Sequence, residues 1–337
     1  MKALVYTGKE TLVYRQEPVP PVDDQSALIK VNACGICGSD MHAYHGKDSR
    51  REAPLIFGHE VSGTIESGDL KGKQVILNPL ITCRECIFCK LGREHLCPSS
   101  TMIGMKTPVE RSGGFAEYVS IPKKNMFDLP DQLDSKYASL SEPAAVAYHA
   151  IEVVKNNYFR KPNESKILIM GAGAIGLLCA LFLTKVENCK DVTVTDINSK
   201  RLKKCEESCS AKTLLPNDKT IQENSFDVVI DCVGLEITRR QSIHIIQPGG
   251  LIVHIGLSED AGSFDFRKMT LQEINVIGTY CYTNQDFANT IDILKNKKLG
   301  DLSWMEFRSL KDGAKAFQEI HDGTCVSPKI VLIPEQI

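Results

Sequence analysis

The chain has 337 residues, 42% apolar and 24% charged, a composition that suits about two globular domains of roughly 150 residues each. Its 40 Lys and Arg against 42 Asp and Glu leave a formal charge of −2, which gives no reason to expect nucleic acid or an anionic membrane as partner. Thirteen cysteines, behind an N-terminus (MKALVYTGKETLVYRQE) without the apolar core of a secretory leader, point to a reducing, cytoplasmic setting.

Residues 1–140 read as short β segments broken by Gly, Pro and Asp turns: LIKVNACGICG, HEVSGTI, QVILNPL and GFAEYVSIP. Between them lies CRECIFCKLGREHLC, where Cys83, Cys86, Cys89 and Cys97 are spaced to close a tetrahedral zinc shell. A four-thiolate shell leaves no ligand position open, so it holds a loop and does no chemistry. The segment Pro143–Val154 reads as a helix joining two domains.

From about 165 the texture changes to alternating strand and helix. KILIM, VTVTD, FDVVID and GLIVHIG are continuous apolar runs, as strands covered on both faces should be. Helices are expected at Ile175–Lys185, Lys200–Ser208 and Thr238–Ile246, which predicts an α/β, doubly wound parallel sheet. The uncharged stretch Ile167–Leu183 is interrupted by glycines and reads as a buried strand and helix, not a membrane span. Two further helices, Phe287–Lys295 and Lys311–Ile320, precede a terminal strand KIVLIP, which is expected to return to the first domain. The expected division is therefore 1–147 with 286–337, and 148–285.

GAGAIG, Gly171–Gly176, fits G-x-G-x-x-G between a strand and an apolar helix, and Asp196 follows at the end of the next strand. Gly171 permits the turn, Gly173 lets a pyrophosphate approach the backbone, and Gly176 lets helix and strand pack closely. The first helical residues, Ala174 and Ile175, present amides to the phosphates. A carboxylate at Asp196 suits the ribose hydroxyls and repels a 2′-phosphate, so NAD is favoured over NADP. Arg201 either covers the adenine or begins a solvated helix.

Cys37 in GICGSD, His59 and Glu60 in GHE, and Glu142 in SEPAA are a thiolate, an imidazole and two carboxylates, a donor set suited to an open zinc. Taken singly, each has an ordinary reading: a small buried thiol, a turn histidine, a helix-start carboxylate. The remaining cysteines read as packing or surface thiols, and His45 as a surface histidine.

These motifs, in this order, with GGFAEY at 113–118, resemble the zinc-dependent medium-chain dehydrogenase/reductase superfamily over essentially the whole chain. The resemblance implies a GroES-like, β-rich catalytic domain, a Rossmann domain, and a homodimer or homotetramer. It implies two zinc ions per chain. One, catalytic, is held by Cys37, His59 and Glu142, with Glu60 a fourth ligand or a carboxylate that exchanges with water. The other, structural, sits on Cys83, Cys86, Cys89 and Cys97. It places the proton-accepting hydroxyl at Ser39, a relay or a mere surface histidine at His42, and an orienting partner for His59 at Asp40.

The acidic Glu142 resembles the sorbitol, galactitol-phosphate, butanediol and threonine dehydrogenase branch, so a small polyol, cyclitol, sugar acid or sugar-alcohol phosphate is the expected substrate. There are two departures. GTYCYTNQDF has Tyr280, Cys281 and Tyr282 but no arginine where sorbitol dehydrogenases have one, and SGTIESGDLKGKQVIL is shorter than the family norm. Oxidation of an amino alcohol, as in threonine dehydrogenases, is the alternative within enzymes. A non-catalytic, redox-sensing dinucleotide binder is the alternative outside them. EINVIGT and an edge strand GLIVHIG are the expected subunit contacts.

Overall fold

The computed structural model describes residues 1–335. It divides into two compact units, Met1–Pro143 with Thr283–Asn296 and Met305 onward, and Ala144–Tyr282 with Lys297–Trp304. The chain passes from one to the other within the helix Ser141–Asn157.

In the first unit a seven-stranded sheet runs in the order Met126–Asp128, Gln74–Leu77, Glu60–Ile65, Ser26–Gly35, Lys329–Ile333, Met305–Ser309, with Tyr118–Pro122 also paired to Ser26–Gly35. The central strand alternates, with Ala27, Ile29, Val31 and Ala33 buried, the period expected when one face meets a core. A hairpin, Lys2–Gly8 with Thr11–Gln16, and the short strand Leu55–Ile56 make a smaller sheet. One cluster, including Leu4, Tyr6, Ile29, Phe57, Phe115, Phe317 and Leu332, forms the core. The terminal strand Lys329–Ile333 lies antiparallel to Ser26–Gly35, which carries residues from the end of the chain to the GICGSD turn.

The second unit is a six-stranded parallel sheet in the order Lys212–Leu214, Val192–Thr195, Ile167–Met170, Phe226–Asp231, Ile246–His254, Asn275–Gly278. Every residue of Ile167–Met170 and Phe226–Asp231 is buried, as strands covered on both faces require. The helix after the glycine turn is Ala174–Leu181. A π-turn, Phe182–Val186, interrupts the helical run expected to reach Lys185. GLIVHIG is not an edge strand. It pairs on both sides, and NVIG, Asn275–Gly278, forms the edge. Among the described residues no helix is long and apolar enough to cross a membrane.

Candidate active site and metal centres

Strand pairing assembles the first cluster. Gly35 stands opposite Glu60 in the antiparallel pair, so the end of one strand meets the start of the other. Gly35 has to be glycine, because a β-carbon there would overlap the Glu60 carboxylate. Two residues on, Cys37 caps the helix Gly38–Tyr44, and its N–H donates to Asp40 Oδ2 at 3.0 Å. Ligand atoms of Cys37, His59 and Glu60 lie within 4.8 Å of one another. His59 and Glu60 are 3% and 0% exposed. Ser39 and His42, both half-buried, are three apart on the Gly38–Tyr44 helix and so share a face.

The electrostatics of this cluster suit a cation. Burial alone would lower the His59 pKa, yet Asp40 and Cys37 beside it hold it well above the ordinary imidazole range. Asp40 Oδ1 lies 3.5 Å from His59 Nδ1, and burial of that carboxylate is outweighed by His59 and Arg51, which keep its pKa low. Asp40 and Cys37 thus give His59 anionic surroundings that a zinc ion bound to its ring would also satisfy.

Glu60 is held from the far end of the chain. Lys329 Nζ donates to both Glu60 oxygens, at 2.6 and 2.7 Å, and to Ile36 O at 2.8 Å. Lys329 is 2% exposed, and the carboxylate of Glu60 overrides burial to keep it charged. Cys37 and Glu142 act in the same direction. Glu142 is buried at the second position of its helix and stands outside the set of atoms that converge within 4.8 Å.

Sequence reasoning missed Lys329 and Arg51. Arg51, 2% exposed, donates to Ser39 O at 2.6 Å and lies 3.8 Å from both Asp40 and Asp48, bracing the turn that carries Ser39. In KIVLIP a lysine at a strand start reads as solvated, and in DSRREAP an arginine reads as a loop charge. Strand pairing reveals the burial of Lys329, and the packing of its loop on the Gly38–Tyr44 helix that of Arg51.

The second cluster is local. Cys83, Cys86, Cys89 and Cys97 bring their sulfurs within 4.8 Å, with Cys83 at 3.5 Å from Cys97 and 4.0 Å from Cys89. Tetrahedral zinc with bonds of about 2.3 Å needs sulfurs about 3.8 Å apart, so the thiols are spaced for it. Backbone N–H groups of Glu85 and Cys86 donate to Cys83 Sγ and, with Cys97, bring its pKa down to about 6. Partial burial and Cys86 push Cys89 up to about 12. Glu94 accepts from Asn284, which also accepts from Asn78, tying the loop into its unit.

In the second unit the turn Gly171–Gly176 joins Ile167–Met170 to the next helix. Gly171 has φ +97°, and a β-carbon on Gly176 would overlap Gly171 O, so both positions need glycine. Ala174 opens the helix, with Ile175 next, and Gly173 precedes it as the cap. Asp196 accepts from the N–H of Ala172 and of Asn198, both at 2.7 Å, which fixes the carboxylate beside the glycine turn. Asn198 caps the following helix at Lys200 and Arg201.

Comparison with known proteins matches residues 23–131 to the alcohol dehydrogenase GroES-like domain and residues 174–296 to the zinc-binding dehydrogenase domain. The chain is 30% identical over 313 residues to L-galactonate-5-dehydrogenase of Escherichia coli K12, covering 89% of this chain and 88% of that one. It is 30% identical over 344 residues to the probable D-xylulose reductase A of Arthroderma otae, covering 95% and 94%. An alcohol dehydrogenase of Escherichia coli CFT073, solved with NADH, superposes with a TM-score of 0.86 at 25% identity over 99% of both chains.

Proposed function

This chain belongs to the zinc-dependent medium-chain dehydrogenases, in their polyol branch, and from that premise we propose that it moves hydride between NAD and a secondary alcohol of a polyol, cyclitol, sugar acid or sugar-alcohol phosphate. The observation that carries this reading is the convergence of Cys37, His59 and Glu60 at the start of the helix that bears Ser39. A structural ion needs a closed shell of protein ligands. A largely buried set of mixed donors, at the start of a helix that also carries a serine, suits chemistry.

In this reading Cys37, His59 and Glu142 hold the catalytic zinc. Zinc, when bound, supplies a Lewis acid that lowers the pKa of an alcohol oxygen. Lys329 neutralises Glu60, so that this carboxylate serves as a fourth ligand that gives way to substrate. Asp40 orients His59, and Arg51 braces the turn beneath Ser39. Ser39 accepts the proton that the alcohol releases, and His42, on the same helix face, passes it onward. Cys83, Cys86, Cys89 and Cys97 hold the structural zinc.

The first unit takes the catalytic role and the second the dinucleotide. Amides at Gly173, Ala174 and Ile175 receive the pyrophosphate, and Gly171 and Gly176 shape the turn. Asp196 meets the ribose, Arg201 lies by the adenine, and NADP is the poorer cofactor. The protein works in the cytoplasm as a homo-oligomer paired through the Asn275–Gly278 edge.

Replacing Cys37 with Ala tests the reading. Several kcal/mol of transition-state stabilisation are lost with a catalytic metal, so NADH formation from a polyol falls about 10³-fold or more while NAD affinity is kept. Turnover that survives Cys37→Ala overturns it.

A further inference from the structure

Outside both clusters, three elements of the first unit bring Glu10, His45 and His321 together, with one ligand atom from each within 4.8 Å of the others. Glu10 sits at the tip of the first hairpin in a left-handed conformation, φ +58°, and its N–H donates to Tyr44 O at 2.8 Å. That bond fixes the hairpin tip against the end of the Gly38–Tyr44 helix, where His45 is the C-cap. His321 is the last residue of the helix Gly313–His321. Tyr44 ties that helix down through its ring on Phe317 and its hydroxyl on Gln318.

We propose that Glu10, His45 and His321 form a further metal site, which takes Zn2+ reversibly and clips the first hairpin to the two helices. His45 Nε2 and His321 Nδ1 are 2.9 Å apart. Bonds of about 2.0–2.1 Å in a tetrahedral site place two imidazole nitrogens about 3.3 Å apart, so a shift of a few tenths of an ångström admits the ion in place of the shared proton. Two imidazoles with one carboxylate suit zinc and its neighbours rather than calcium or magnesium. Burial and His321 push the His45 pKa down, against the pull of Glu10, a direction that favours the unprotonated ring a metal needs. Three ligands, two of them on exposed residues, leave the ion open to solvent and exchangeable. His45 ends the helix that carries Ser39 and His42, so the clip fixes the far end of the proposed proton path.

The test is equilibrium dialysis of the zinc-replete protein against Zn2+, read as zinc per chain. Wild type takes up one weak equivalent more than His45→Ala or His321→Ala. Glu10→Gln weakens that equivalent about tenfold or more, and His244→Ala, a surface histidine of the second unit, leaves it unchanged. Zinc-edge anomalous diffraction from soaked wild-type crystals puts a peak between the three side chains. If the extra equivalent survives His321→Ala, if wild type binds no more than the variants, or if the peak lies elsewhere, the pair is a hydrogen bond and the proposal fails. The readout is metal uptake, so it is independent of whether the chain oxidises a polyol.

Discussion

The loop Cys83–Cys97 takes four thiols from one short segment, most of them near the surface, and spaces them by local turns. Cys37, His59 and Glu60 are drawn together by strand pairing, His59 and Glu60 lie deep, and Glu60 depends on Lys329 from the last strand. A local cluster can form wherever its segment folds, and its stakes are the order of that segment. An assembled cluster exists only when the whole sheet is in register. It is therefore coupled to the stability of the unit, and a buried charge within it demands a partner.

Breaking that partnership should show the largest effect on stability. Lys329→Met keeps the length of the side chain but leaves the Glu60 carboxylate buried and unpaired. Zinc-free protein should lose about 3–5 kcal/mol in urea unfolding, and zinc-loaded protein less, because the ion offers Glu60 another cation. Equal losses with and without zinc would show that Glu60 never feels the ion.

Ser39→Ala sharpens the chemical side. Turnover should fall about 10²-fold with little change in unfolding free energy, measured as initial NADH formation. An unchanged rate removes Ser39 from the proton path.

The local cluster should respond in the opposite sense. Cys97→Ser should release one zinc per chain and lower the melting temperature by several degrees, about 2–4 °C for each kcal/mol lost, while turnover at low temperature is nearly kept. A collapse of turnover to the level of Cys37→Ala would erase the distinction between the clusters.

The smallest effect is one of thiol reactivity. In chelator-treated protein at neutral pH, Cys83, with its pKa near 6, is already a thiolate, whereas Cys89, near 12, is not. Iodoacetamide followed by peptide mass mapping should modify Cys83 before Cys89, and zinc should protect both.

The sequence carried most of what is local. The glycine turn, the apolar strands and the four-thiol spacing are each written within a few residues, so period and motif reveal them. The π-turn at Phe182–Val186 is hidden, because AIGLLCALFLTK has an unbroken helical texture. Edge position is hidden as well: GLIVHIG and NVIG are both apolar runs, and only pairing shows that the second is the edge. At the candidate site, the donor types of Cys37, His59 and Glu60 can be read in order along the chain. What cannot be read is Lys329, 269 residues from the carboxylate it neutralises, or Arg51 beneath Ser39, because a charge at a strand start or in a loop looks solvated until the fold buries it. The pairing of His45 with His321 is lost for the same reason.

The most direct measurement is the absorbance of NADH formed by zinc-replete protein across a panel of polyols, sugar acids, cyclitols, sugar phosphates and amino alcohols. The assembled centre predicts steady NADH formation with a vicinal diol or sugar acid, lost on removal of zinc and restored by its return. No NADH with any member of the panel, from protein that binds NAD and holds its zinc, would contradict it.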